Sequence, residues 1–224
     1  MGKTTDAIHE LVDQAIESEN EKSEKRTYMG ASGLGVECAR QLWYSYHTPK
    51  KEFDAKTLRK FDVGHALEPV VVEWLRKAGF KLFTVDSKGD QFGFEDGVIA
   101  GHCDGVIKGI PFDEETPHLL EVKTANNFYW KEFTKSGIDG NERYKGQVHI
   151  YMNKFKLKKC LFVVVNKDTQ ELYFEIVPYD EFEALRLLSR GHSVAVESEP
   201  PARHYESKSF FKCKYCSYYK ECWK

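Results

Sequence analysis

The 224-residue chain contains no uninterrupted apolar run of membrane-spanning length, and its first residues carry no apolar leader, so neither a bilayer-spanning nor a secreted protein is expected. The expected location is the cytoplasm. Charge of one sign is not in excess either: 33 Lys and Arg against 35 Asp and Glu leave a net −2, so the field of the whole molecule does not advertise a polyanionic partner. Internal repeats and low-complexity stretches are absent, which excludes solenoid arrays. Gly2-Lys3-Thr4 lacks the upstream glycine of a phosphate-binding loop, and Asp6 stands where a myristoylation motif needs Ser or Thr. What remains is an ordinary globular composition, 41% hydrophobic and 30% charged, in a chain long enough to bury one sizeable core.

Hydrophobic periodicity organises that chain. A helix is predicted over 4–19, where Ile8, Leu11, Val12 and Ile16 recur at three- and four-residue spacing, and the overlapping charged run 17–26 reads as a solvated helix end or linker. Segment 31–35 reads as a turn, 38–46 as a short helix, and 54–78 as a long helix kinked at Pro69 and stopped by Gly79. Strands are predicted over 81–85, 98–107 and 119–123, with helices over 125–135 and 141–155. A hairpin pair follows over 161–165 and 172–176, about Asn166-Lys167-Asp168, and a last helix over 180–196. Pro200-Pro201 mark the boundary before a cysteine-rich tail. This order implies an α/β fold, a central mixed sheet flanked by helices.

The six cysteines are more informative than their number. In a reducing compartment they are metal ligands or free thiols rather than disulfides. Cys103 and Cys160 sit in apolar, strand-like contexts and read as buried small hydrophobes. Cys213, Cys216 and Cys222 form C-x2-C-x5-C, and Cys38 stands alone far upstream. Three closely spaced thiols plus a distant fourth make a four-thiolate site for an iron–sulfur cluster or a zinc ion. Joining Cys38 to the tail closes a loop covering most of the chain, which by loop entropy stabilises a fold by on the order of a few kcal/mol.

Between these thiols lies a second constellation. Strand alternation puts Glu121 and Lys123 on one face, where the carboxylate can bind a hard divalent cation and the ammonium can orient or deprotonate a water. Asp104 interrupts the apolar stretch 99–107; a carboxylate buried there requires a metal ion or an ion pair, although Asp104-Gly105 also suits a turn. Gln147 and Tyr151, four apart, share one helix face. Two basic runs complete the inventory: Lys154, Lys156, Lys158 and Lys159, and the tail lysines Lys208, Lys212, Lys214, Lys220 and Lys224. Aromatics such as Phe210, Tyr215 and Trp223 interleave the second run, either stacking on unpaired bases or packing around the thiol site.

Asp104, Glu121-Val122-Lys123 and Gln147-x3-Tyr151, in that order, resemble the PD-(D/E)XK nuclease superfamily and its RecB-like branch. The flanking thiols are similar to the iron–sulfur exonucleases of that branch, the Cas-four-type and AddB-type nuclease domains. The resemblance covers roughly residues 31–224 and implies a restriction-endonuclease-like core over 31–200. It further implies a 1–30 N-terminal helix and linker, and a 201–224 segment that joins Cys38 in a [4Fe-4S]-stapled helical cap. It implies Mg²⁺ or Mn²⁺ bound by Glu68, Asp104, Glu121 and the Val122 carbonyl, with Lys123, Gln147 and Tyr151 completing the catalytic set. Glu68 stands four residues after Gly64, where the branch carries its helical ligand, and His65 is the alternative. The implied activity is exonucleolytic cleavage of single-stranded DNA or duplex ends, with recombination, repair or CRISPR-adaptation proteins as partners and no membrane. The rival reading is a non-catalytic DNA-binding or assembly subunit. The sequence departs from the superfamily in having His102-Cys103 rather than proline before Asp104.

Overall fold

The computed structural model describes residues 2–24, 26–49 and 53–224; Lys25, in the charged run, lies outside the described residues. Helix α1 (Lys3–Lys22) precedes a short strand β1 (Met29–Gly30), a helical turn α2 (Ala31–Leu34), α3 (Ala39–His47) and the long α4 (Ala55–Lys77). Strands β2 (Lys81–Phe83), β3 (Gly93–Asp96), β4 (Ile99–His102), β5 (Gly105–Lys108) and β6 (His118–Ala125) follow. Then come α5 (Asn127–Ser136), α6 (Glu142–Phe155), the hairpin β7 (Lys159–Asn166) and β8 (Leu172–Pro178), and α7 (Glu181–Val196). The tail adds only α8 (Phe211–Lys214) and α9 (Tyr219–Cys222), two single turns rather than the expected helical cap.

The strands form a five-stranded mixed sheet, β2-β5-β6-β7-β8, in which β6 and β7 are parallel and the other pairs antiparallel. A smaller sheet, β1-β4-β3, lies apart from it. Period-two alternation sorts the central side chains. Leu119, Cys160, Phe162 and Val164 enter a core with Val148 and Ile150 of α6, whereas Leu120, Val122, Leu161, Val163 and Val165 pack on Val71, Val72 and Leu75 of α4. Being covered on both sides, β7 is a continuous apolar run. Cys103 and Cys160 are wholly buried, and burial pushes the Cys103 thiol up to about 12.

Three features depart from expectation. The stretch 98–107 is not one strand: it passes from the small sheet to the large one at Cys103-Asp104. Gly105 is why, with φ at +150° and a Cβ position only 2.6 Å from the Phe83 carbonyl oxygen, a crossing no other residue fits. Segment 31–35 contains α2, and β1 and β3 were not expected at all. Helix α4 contains Pro69 within one continuous element, as expected. Finally, α1 does not bury its apolar stripe: Ile8, Leu11 and Val12 are exposed, and the helix meets α4 through polar contacts. Asp13 pairs with Arg59, and Glu17 accepts the Ala55 amide at 2.9 Å.

Candidate functional site

Helix α6, strand β6 and the β4–β5 crossing converge on one buried polar centre. Glu121 and Lys123 point to the same side of β6, as alternation requires, and Lys123 Nζ donates to Glu121 Oε1. Gln147, one helical turn before Tyr151, donates from Nε2 to the same Oε1 at 2.7 Å and lies 3.4 Å from the Tyr151 hydroxyl. The Tyr151 ring rests on Gly101, where any Cβ would come within 2.9 Å of it. Asp104 sits beyond the register pair Gly105–Leu120, and its Oδ2 accepts the Val122 amide at 2.6 Å. The crossing thus aims the carboxylate across the neighbouring strand.

Glu68 projects from α4 into a cavity of about 360 Å³ that Asp104, His65 and Tyr151 also line. Burial and then the Asp104 charge push Glu68 up to about 7. Glu121 is wholly buried, and the same two causes push it up to about 8. Asp104 is raised by burial, opposed by Lys123 and by the Val122 amide. For Lys123 burial works toward the neutral amine, but Glu121 and Asp104 outweigh it and hold the ammonium above its ordinary range. Three carboxylates therefore share one neighbouring ammonium. Glu121 Oε2 and Gln147 Oε1 are buried with no hydrogen-bond partner, acceptors that a cation would satisfy.

Glu68, His65, Asp104 and Tyr151 line this cavity, while Glu121, Lys123 and Gln147 form a hydrogen-bonded cluster close enough for the Asp104 and Glu68 charges to act on Glu121. Not anticipated were Arg26 and Tyr28, whose guanidinium and ring lie 4.9 Å apart, and Gln91 and His102, all on the cavity wall. No local pattern marks them, because the chain folds segment 26–32 and the β3–β4 hairpin over the acids from outside the core.

The second constellation also assembles. Cys38, at the N-cap of α3, lines a cavity of about 320 Å³ with Cys213, Cys216 and Cys222. Contacts independent of the thiols sew the tail to α3. Arg40 Nη1 donates to the Pro200 and Pro201 carbonyls at 3.1 and 2.7 Å, the Tyr44 hydroxyl to the Glu221 carbonyl at 3.3 Å, and Tyr44 stacks on Tyr218. Among the described residues no three His, Cys, Asp or Glu side chains converge tightly enough to hold a single metal ion. At the acidic site the reason is local: Glu121 Oε1 turns to Lys123 and Gln147, and Asp104 Oδ2 to the Val122 amide.

Several lysines of the two basic runs are taken up within the fold. Lys212 binds both Glu37 oxygens at 2.8 Å, Lys154 pairs with Asp96 and Lys159 with Asp113. No helix among the described residues is long and apolar enough to cross a membrane.

No family model matches the chain, and no curated protein matches it. Solved structures do. SSO0001 aligns over 96% of this chain and 95% of its own, with TM-score 0.54 and 18% identity. The alkaline exonuclease LHK-Exo from Laribacter hongkongensis aligns over 81% of this chain and 90% of its own, with TM-score 0.54 and 16% identity, as does the same enzyme in complex with dAMP. At such identities the likeness establishes a shared fold and nothing finer.

Proposed function

We propose that this chain is a metal-dependent deoxyribonuclease, an exonuclease acting on single-stranded DNA or duplex ends, with a structural [4Fe-4S] cluster. The observation that carries the reading is the wholly buried Glu121, whose Oε1 is held by Lys123 and Gln147 while its Oε2 has no partner. A buried carboxylate oxygen left unpaired beside two further carboxylates is costly unless a cation completes it. Glu68, Asp104, Glu121 and the Val122 carbonyl are all oxygen donors, the set that hard Mg²⁺ or Mn²⁺ takes. When bound, such an ion neutralises phosphate charge and makes water a better nucleophile near pH 7.

The chain's own groups do the remaining work. Lys123, kept charged by its carboxylate neighbours, orients the attacking water and offsets the negative charge that develops on the phosphate oxygens. Gln147 locks Glu121 in one rotamer, and Tyr151 closes the wall behind it. The buried core excludes bulk water, which strengthens each of these interactions.

At the other end, the four thiols are the donors an iron–sulfur cluster takes. Zinc would hold each sulfur about 2.3 Å from one ion, a tight set. A cluster takes the same four thiolates, which here line one cavity from both ends of the chain. The test is an assay on 5′- and 3′-end-labelled single-stranded and duplex DNA with Mg²⁺, Mn²⁺ or EDTA. Metal-dependent release of mononucleotides or short oligonucleotides is expected. Binding to DNA without cleavage in either metal overturns the reading in favour of a non-catalytic subunit.

A further inference from the structure

Helix α1 turns its apolar stripe to solvent. Ile8, Leu11 and Val12, at three- and four-residue spacing, are 55%, 67% and 46% exposed. The face the fold uses is another one, where Asp13 pairs with Arg59 and Glu17 accepts the Ala55 amide. The helix is also acidic, with six carboxylates against two lysines over Lys3–Lys22. Among the described residues no cation pairs with Asp6, Glu10 or Glu19. Such a surface repels DNA, an anionic bilayer and another α1 alike. What fits it is a basic surface with apolar anchors, and the other end of the chain presents one. Residues 208–224 hold five lysines against one carboxylate. Phe211 and Tyr215, four apart along α8, are 59% and 88% exposed, with Phe210 backing Phe211 at 4.9 Å between ring centres. Lys212 is spent on Glu37, but among the described residues Lys208, Lys214, Lys220 and Lys224 have no ion pair. Both surfaces are open in the single chain, so they do not cover one another.

We propose that α1 of one copy docks on the Phe211–Tyr215 surface of a second copy, head to tail. Phe211 and Tyr215 cover the stripe of Ile8, Leu11 and Val12, and the tail lysines lie beside the α1 carboxylates. The aromatic anchors supply the burial, while the opposed charges set the orientation and exclude pairing of α1 with α1. A contact between two unlike surfaces leaves one of each kind free at the ends, so it closes into a ring or extends into a chain. Few apolar side chains meet on either side, so the association is reversible and follows protein concentration. It is independent of the metal and cluster chemistry of the two cavities.

Sedimentation velocity on the full chain, under reducing conditions and at rising protein concentration, is the test. Wild type should pass from one chain to two or more, and the larger species should be lost in high salt. Two double variants change exposed side chains only: Ile8→Ser with Leu11→Ser, and Lys214→Glu with Tyr215→Ser. Each should remain a single chain, with the melting temperature of wild type. Mixed in equal amounts, the two should form a dimer and nothing larger, because each still carries the surface that the other has lost. Wild type that stays a single chain at every concentration overturns the proposal, as does association that survives either double variant. Variants that stay apart on mixing overturn head-to-tail docking. Should either variant melt early, the salt series on wild type decides, and association that high salt leaves unchanged or strengthens overturns the charge pairing.

Discussion

The acidic pocket and the cysteine cavity are of similar volume, about 360 and 320 Å³, yet they are held in opposite ways. In the first, the side chains hold one another: Lys123 and Gln147 grip Glu121, and the Val122 amide grips Asp104, all on rigid strands and a helix. In the second, the thiols do not hold one another. Arg40, Tyr44 and Arg203 bring the tail to α3 through backbone carbonyls, and the sulfurs face the space between. A site whose geometry must be correct at the instant of reaction is wired in advance. One whose task is to join two ends of a chain needs only to bring the ends near.

The largest effect that would break this comparison is on catalysis. Glu121→Gln and Lys123→Ala should each lower the cleavage rate by at least about 100-fold, the scale of a lost acid–base or charge-stabilising group. Their stabilities should part. Glu121→Gln removes one of three crowded carboxylates, and its melting temperature in EDTA should match or exceed wild type. Lys123→Ala strips a buried carboxylate of its counter-charge, a change of about 3–5 kcal/mol where a buried pair is halved, and it should melt earlier. Single-turnover assays and calorimetry on the two variants check both statements. If Lys123→Ala keeps full stability, the pocket is less tightly wired than its geometry says.

On the other side of the comparison, Cys216→Ala should abolish the visible absorbance and destabilise the protein by about 2–4 kcal/mol, as the loss of a link between distant segments does. The polar seam between α3 and the tail should survive it, so the loss should be one of stability rather than of fold. Visible spectroscopy and denaturant melts report the two effects. A colourless variant that unfolds wholly at room temperature would mean that the seam cannot hold without the cluster.

A smaller effect separates Glu68 from His65, which line the same pocket from successive turns of α4. Glu68→Ala should eliminate Mg²⁺-supported cleavage, since a carboxylate suits that ion better than imidazole does. His65→Ala should leave measurable activity, and Mn²⁺ should not fully restore Glu68→Ala. The reverse ranking in a metal-dependence assay would move the helical ligand one turn earlier.

How much of this was legible in advance follows from the range of the forces involved. Glu121 with Lys123, and Gln147 with Tyr151, obey the two local periodicities, so their shared faces could be read directly. The central mixed sheet followed from the order of helical and strand-like segments. Asp104 was found as a lone carboxylate in an apolar stretch, but the break beside it was hidden, because the clash that makes Gly105 necessary is with Phe83, a distant residue. Strand β1 is two residues long and β3 begins at a glycine, too little pattern to register. The pairing of Lys212 with Glu37 spans 175 residues, so the tail's basic run looked freer than it is. Arg26 on the pocket wall was invisible for the same reason: its neighbours there are brought by the fold, not by the sequence beside it.

The smallest effect concerns pH, and it sharpens what wiring costs the acidic pocket before a cation arrives. Glu68 and Glu121 are raised from an ordinary 4.5 to about 7 and about 8, chiefly by burial and secondarily by the Asp104 charge. A carboxyl raised on folding favours the folded state while it stays protonated, so its contribution is fully present below about pH 4.5 and is lost as pH rises through the folded values. Metal-free protein should therefore lose melting temperature steadily from pH 5.5 to about pH 8.5, a window bracketing both raised groups. Saturating Mg²⁺ binds the ionised carboxylates and should flatten that slope, because it stabilises the state that high pH produces. Glu121→Gln should shrink the slope in EDTA, having one group fewer to ionise and less repulsion on Glu68. The cysteine cavity supplies the control, since neither metal-free carboxyl lies in it: Trp223→Phe should leave the slope as it is in wild type. A melting temperature independent of pH in EDTA would mean that the carboxylates are solvated as they stand, and that no cation is needed to complete them.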